Sequence, residues 1–288
     1  MGTQVIDRRL FVAGGLAATI PCALRADPLP AAAAVPQTER LAVSPTRSTE
    51  MTVWRPATGK PRGVALLSTG HGSWPVRYQA LGDMLAARGF AVLAPMHVDS
   101  VRHPDRAHFT MEASFGERIA DMAAASAHAA RTFPGLPVVA VGHSFGTLTS
   151  LCRAGALGYL GDFRDPAVKA VLGLSSPGRI PGLVQPTAYA TVTAPLMLVT
   201  GTADTVPGFV TDPADHLLPV DTVKGPAFGL VKAGANHELV GQGAALASVE
   251  ALVAAFLAAH VLGDAAARKR LAAYKPAPGD RFIVRNAQ

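Results

Sequence analysis

From residue 50 onward, short apolar runs alternate with longer amphipathic segments, and this alternation restricts the fold more than any other feature of the chain. Residues 51–54 predict an early strand that stops at Pro56. Residues 63–68 form a short apolar run, as expected of a strand covered on both faces. Residues 78–87 predict a helix closed by Gly89. A strand over 90–94, a long Ala-rich helix over 111–131 and a strand over 138–141 follow. The order repeats with a helix over 145–157, strands over 168–174, 196–200 and 228–232, and a last helix over about 244–262. Such alternation means parallel strands joined by right-handed crossovers, with ligands bound outside the strands' carboxyl ends. The expected fold class is therefore α/β: one domain over 51–275, a mostly parallel, doubly wound sheet with helices on both faces. No fixed period recurs, which excludes solenoids and propellers.

Composition excludes further classes. Apolar residues make up 49% and charged residues 16%, which suits a large core and not a disordered chain. The net charge of +6 comes from scattered side chains, and the one dense cluster, Arg268-Lys269-Arg270, reads as the solvated end of a helix. No nucleic-acid partner is expected from it.

The first residues read as an address. Asp7-Arg8-Arg9-Leu10-Phe11-Val12 opens an apolar stretch over 10–20, interrupted by Gly14-Gly15. A stable membrane span needs about 20 apolar residues, so this stretch predicts a bacterial export signal and a periplasmic or secreted protein. The paired arginines before Phe11 resemble the twin-arginine class, with Asp7 where that motif carries Ser or Thr. Cleavage after Ala26 or within 31–34 fits; a lipid on Cys22 fits poorly with Thr19-Ile20-Pro21, and a cytosolic tail is the plain alternative. With residues 1–26 removed, Cys152 is the remaining thiol and no intramolecular disulfide forms. Pro28, Pro30, Pro36 and Pro45 mark residues 27–50 as an extended leader, and 276–288 as a C-terminal tail completes the division.

Gly142-His143-Ser144-Phe145-Gly146 lies directly between the predicted strand over 138–141 and a helix. A turn this tight strains its middle residue and requires glycines at both ends. It lifts the Ser144 hydroxyl over a helix N-terminus, where unpaired N–H groups favour negative charge. The bland alternative is a Gly-rich turn with a helix-capping serine. Together with the Gly70-His71-Gly72-Ser73 loop and the later Asp and His loops, this turn resembles the α/β-hydrolase family over roughly residues 51–262. The Ala94-Pro95-Met96-His97 segment is most similar to the dienelactone-hydrolase-like and platelet-activating-factor-acetylhydrolase-like esterases. True dienelactone hydrolases carry Cys at the elbow. Ser144 here implies ester rather than lactone chemistry.

The resemblance implies an order of serine, acid, then histidine. His216, His237 and His260 qualify by order. His237, in the loop Gly234-Ala235-Asn236-His237 after a strand, is the expected general base, with His216 the alternative; His260 falls inside the last helix. The strand over 196–200 runs into Gly201-Thr202-Ala203-Asp204, which makes Asp204 the expected acid. The other acid position used in the family falls at Ser175-Ser176-Pro177, where no acid stands. By the same resemblance, the backbone N–H groups of Ser73 and Phe145 form the oxyanion hole.

His97, Asp99, His103, Asp105 and His108 cluster in the sequence but match no metal-ligand spacing, and Gly241 stands where a zinc-protease motif starting at His237 would need its second histidine. A polar loop on the site's rim is expected instead, with no metal and no cofactor. The stretch from Pro177 to Pro195 carries four prolines and two glycines, too irregular to form a lid. An open cleft rimmed by Trp74, Phe145 and this loop is expected, taking small-molecule or polymeric esters. An amidase or peptidase on the same triad, and a non-catalytic binding domain of the same fold, are the competing functions.

Overall fold

The computed structural model describes residues 35–239 and 243–287. The export signal expected over 1–26, and the first part of the leader, lie outside the described residues. One nine-stranded sheet runs through the molecule. In chain order its elements are β1 (Gln37–Ala42), β2 (Ser48–Trp54), β3 (Gly63–Ser68), α1 (Gln79–Ala87), β4 (Phe90–Pro95), α2 (Met111–Thr132), β5 (Val138–His143), α3 (Phe145–Arg153), β6 (Val168–Leu174), β7 (Leu196–Ala203), α4 (Leu218–Thr222), β8 (Ala227–Asn236), α5 (Gly243–His260), α6 (Ala265–Ala272) and β9 (Arg281–Arg285). The strand order is β1-β2-β4-β3-β5-β6-β7-β8-β9. Strands β3 to β8 are parallel to their neighbours, and β1, β2 and β9 add antiparallel edges.

The central strands are apolar on both faces because both faces are covered. Val64, Leu66 and Ala140 pack into one layer with α2 and α3, while Ala65, Leu67, Val139 and Val141 pack into the other with α1 and α5. Helix α5 is long and apolar enough to cross a membrane by length and composition. Leu246, Val249, Val253 and Phe256 instead bury it in the second layer.

The sheet is wider than the sequence suggests. Residues 37–42 and 48–50, expected in the extended leader, pair as a hairpin whose turn holds Pro45, and Ser44 accepts hydrogen bonds there from the Thr46 and Arg47 amides. The proline that argued for a leader occupies the turn, where a missing N–H costs nothing. The tail expected over 276–288 likewise contains β9, whose Phe282 stacks on Phe228 with ring centroids 6.3 Å apart. Helix α3 ends at Arg153, four residues early, because Gly155 takes φ +103° and turns the chain away. The basic cluster lies exposed on α6, a separate helix capped by Asp264.

Two extensions matter for function. Strands β7 and β8 run on past their expected ends, to Ala203 and Asn236, which become register partners across a bulge. Gly201 makes the bulge possible: a Cβ there would lie 2.0 Å from the Ala235 carbonyl oxygen.

Candidate active site

The carboxyl ends of β3, β5, β7 and β8 converge on a cavity of about 230 Å3. At the end of β5, Ser144 sits at φ 55° and ψ −122°, a left-handed conformation that costs a non-glycine residue about 1–3 kcal/mol. Neighbouring backbone enforces it. A Cβ on Gly142 would lie 2.2 Å from the Gly146 carbonyl oxygen, and one on Gly146 would lie 2.0 Å from the Ser68 carbonyl oxygen of β3. The Ser144 amide donates to the Leu174 carbonyl at 3.1 Å, which ties the turn to β6. The Ser144 hydroxyl caps nothing and has no hydrogen-bond partner among the described residues. A capping serine would have used it, so the bland reading of this turn loses its support.

Because Ala203 faces Asn236, the next residue on each strand meets its counterpart. His237 Nδ1 donates to Asp204 Oδ1 at 2.7 Å, leaving Nε2 as the nitrogen free for other partners. Asp204 is wholly buried. Its other oxygen accepts from the hydroxyls of Thr200, at 2.7 Å, and Ser175. Burial alone would push this carboxyl up, but hydrogen bonds from His216 and His237 outweigh it and hold the group far below the usual carboxylate range. The chain thus brings Asp204 and His237 into contact and sets His237 and Ser144 in the lining of one cavity.

His216, the alternative base, is not at the cavity. It is wholly buried behind Asp204, with Nε2 at 3.0 Å from Asp204 Oδ1. His260 lies on α5 against Phe256 and Phe228, far along the sheet from the elbow.

The loop after β3 requires a correction. Ser73 N–H already donates to the Gly70 carbonyl at 3.1 Å, so it is not available as an oxyanion donor. Gly72 N–H is held by Asp99 at 3.0 Å and Gly70 N–H by the Tyr78 hydroxyl at 2.9 Å. Of this loop, the His71 N–H is the one without an acceptor among the described residues. It shares the cavity wall with Phe145, whose N–H opens α3 and is equally unpaired. The tight turn 70–73 closes on itself through Ser73 and leaves the unpaired N–H two residues earlier than the resemblance implies.

A buried network holds that loop. Arg118 donates to the carbonyls of Thr69 at 2.7 Å and Gly70 at 3.0 Å, and forks onto both oxygens of Asp99 at 2.8 and 2.7 Å. Asp99 also takes His71 Nδ1 at 2.8 Å. On the other side, the Tyr78 hydroxyl accepts from Gly70 N–H and donates to His143 Nδ1 at 2.9 Å, and His143 Nε2–H donates to the His237 carbonyl at 2.9 Å. Three loops are joined in one chain of hydrogen bonds. Burial and the neighbouring His237 hold the His143 imidazole down to about 4, which keeps it neutral and fixes this tautomer.

The histidine and aspartate cluster over 97–108 is not the polar rim loop expected. His97 is wholly buried between the Ser68 hydroxyl, at 2.9 Å, and Asp121, at 2.8 Å, and Asp99 is equally buried. Trp74 is not a rim residue either, for its ring lies under the Arg102 guanidinium, 4.1 Å from the ring centroid, outside the cavity lining. The rim that exists comes from Met111, Ile180, Val206, Phe209 and Val210, together with the Arg77–Glu238 ion pair. The segment over 206–210 is closed by a Val206–Val210 bridge; only its position after Asp204 could have marked it in the sequence.

The donor atoms of Asp204, His216 and His237 lie within 4.8 Å of one another, a spacing that an ion could bridge. Here each histidine hydrogen-bonds to Asp204, and His216 has both nitrogens turned toward oxygens.

A family model described as "Serine aminopeptidase, S33" matches residues 59–165, a stretch that includes the elbow but neither Asp204 nor His237. Among curated proteins, the chain is similar to a monoglyceride lipase homolog of Monkeypox virus. The two are 29% identical over 101 residues, which cover 35% of this chain and 36% of that protein. The chain thus matches about a third of the viral protein's length. Among solved structures it is similar to Pyrococcus horikoshii acylaminoacyl peptidase, with a TM-score of 0.62 at 12% identity over 79% of this chain and 42% of that one. At that identity the likeness is one of fold.

Proposed function

We propose that this chain, a member of the α/β-hydrolase superfamily, is an exported serine hydrolase that cleaves carboxylic esters through an acyl-enzyme on Ser144. The observation that carries this reading is the Asp204–His237 pair at 2.7 Å, set in the same cavity as a serine held at φ 55°. In this scheme His237 Nε2 takes the Ser144 proton as Oγ attacks the ester carbonyl, and the buried Asp204 carboxylate stabilises the imidazolium that forms. The tetrahedral oxygen receives the N–H groups of His71 and Phe145, each worth on the order of 3 kcal/mol of barrier. His237 then protonates the leaving alcohol. A water activated by the same nitrogen releases the acyl group.

The aminopeptidase description favours a second reading, cleavage of an aminoacyl bond. Holding a substrate ammonium requires an unpaired carboxylate. Glu238 is the acid in the cavity lining, and Arg77 neutralises it. Met111, Phe145, Pro177, Ile180, Val206, Phe209 and Val210 give the rest of the wall a large apolar share, and about 230 Å3 is small against the several hundred typical of drug-sized ligands, which supports compact ester substrates. The Ala94-Pro95-Met96-His97 segment supports the dienelactone-hydrolase-like and platelet-activating-factor-acetylhydrolase-like branch within the superfamily. Export rests on the twin-arginine-like sequence before residue 26.

A fluorophosphonate probe tests the core of the reading. Wild type should be labelled, Ser144→Ala should not, and p-nitrophenyl butyrate should be turned over faster than any aminoacyl p-nitroanilide. An unlabelled wild type would establish a non-catalytic binding domain. Faster turnover of the anilide would establish a peptidase.

A further inference from the structure

We propose that His216 is a permanently protonated positioning residue, a buried imidazolium that holds the Asp204 carboxylate in place for His237. This rests on the roles proposed above for Asp204 and His237.

The hydrogen-bond geometry sets the protonation state. His216 is wholly buried, and each ring nitrogen faces oxygen. Nδ1 lies 2.5 Å from the Ser176 carbonyl oxygen. Nε2 lies 3.0 Å from the Asp204 carbonyl oxygen and 3.0 Å from Asp204 Oδ1. A neutral imidazole carries one proton and would press a lone pair against an oxygen at one end or the other. The Ser176 N–H does approach Nδ1, at 3.3 Å, but that long contact is no match for a repulsion at 2.5 Å. Two protons give each ring nitrogen an N–H for the oxygens it faces and give up only the long Ser176 N–H contact, and the short Nδ1 contact fits a charge-assisted bond.

The surroundings agree. Burial opposes charge on His216, yet the hydrogen bond and charge of Asp204 outweigh it and raise the imidazole above its ordinary value. From β6, the groups facing it are Ser176 and, through Asp204, Ser175. From the β7 and β8 ends come Asp204 and His237, whose ring stacks on it with centroids 6.0 Å apart. On its own turn Asp215 is paired with Arg179, and on α4 Asp221 reaches toward Arg285 at the surface. Asp204 is thus the negative charge that compensates His216.

Two imidazoles share one carboxylate. Both bonds end on Asp204 Oδ1, that of His216 at 3.0 Å and that of His237 at 2.7 Å, so the His216 bond fixes the carboxylate in the orientation that His237 meets.

His216→Gln keeps an N–H donor for Asp204 and removes the charge. It should lower kcat for p-nitrophenyl butyrate by up to about 100-fold with KM little changed, while fluorophosphonate labelling of Ser144 persists. A purely structural role would lower Tm and leave kcat of the folded protein unchanged, and that outcome overturns the proposal. Nitrogen-15 NMR of the wild-type protein reads the proton count directly, whether or not the variant folds. Both ring nitrogens should remain protonated from pH 6 to 9, and one bare nitrogen at pH 7.5 overturns the proposal. If wild type neither binds the probe nor cleaves esters, the functional reading fails, while the NMR result still decides the charge state.

Discussion

Tyr78→Phe removes one oxygen from a fully packed position and tests whether the three active-site loops act as one unit. The Tyr78 ring is 1% exposed, so phenylalanine keeps the shape and the packing. What is lost is the bridge between Gly70 N–H and His143 Nδ1, two hydrogen bonds of 2.9 Å each. Each leaves a buried polar group unpaired, at about 1–3 kcal/mol apiece. Relaxation of the Gly70 loop reduces the sum, and we expect a loss of about 2–4 kcal/mol, or roughly 5–15 °C in Tm for a domain of this size. The ends of the bridge point at function: Gly70 precedes the His71 N–H, and His143 holds the His237 carbonyl at 2.9 Å. Loosening both should lower kcat for p-nitrophenyl butyrate by about 10- to 100-fold, the range of a second partner that orients catalytic groups. Urea unfolding gives the first quantity and steady-state kinetics the second. A variant within about 0.5 kcal/mol of wild type, or one with unchanged kcat, would refute the idea that this chain of hydrogen bonds positions the loops.

Gly146→Ala forces a Cβ to within 2.0 Å of the Ser68 carbonyl and should cost more than about 3 kcal/mol or abolish folding; soluble expression and thermal melting check it. His143 is protonated near pH 6.5 when unfolded and only near 4 when folded, so the unfolded state binds the extra proton between these values. Its contribution is therefore complete above pH 6.5 and lost as pH falls toward 4, on the order of 3 kcal/mol in all. Urea midpoints at pH 4.5 and 6.5 should show a steeper decline in wild type than in His143→Gln. The segment over 177–195 forms no regular helix and no lid. Short acyl esters should accordingly be preferred, with no jump in rate at the micellar threshold; a chain-length series across that threshold would contradict this if long chains won and the rate jumped.

How much of this was legible beforehand depends on the range of the interaction. The parallel core was readable because a strand buried on both faces must be apolar throughout, as 64–67 and 138–141 are. The elbow was readable because its strain is local: the glycines on either side of Ser144 are demanded by atoms a few residues away or on the adjacent strand. That Asp204 and His237 stand after β7 and β8 was legible, although neither strand's true end was, and their contact was left to the structure. The β1 hairpin and β9 were missed because edge strands bury little. Among the residues of β1, only Leu41 is buried, and its pairing comes from backbone bonds that carry no side-chain pattern.

The sequence by itself determined the doubly wound core and the position of the strained serine, while the order of serine, acid and histidine came from the family resemblance. The core and the serine depend on periodicity or on backbone chemistry confined to a short stretch. Tertiary structure alone decided which backbone N–H groups were left free, since an unpaired N–H at His71 rather than Ser73 follows from how Arg118, Asp99 and Tyr78 engage the turn. It alone decided that His143 is a neutral strut, that His97 is core, and that His216 shares a carboxylate with His237. An imidazole's role is set by what surrounds its two nitrogens, and those atoms come from strands up to about a hundred residues away, as His143 and the His237 carbonyl illustrate.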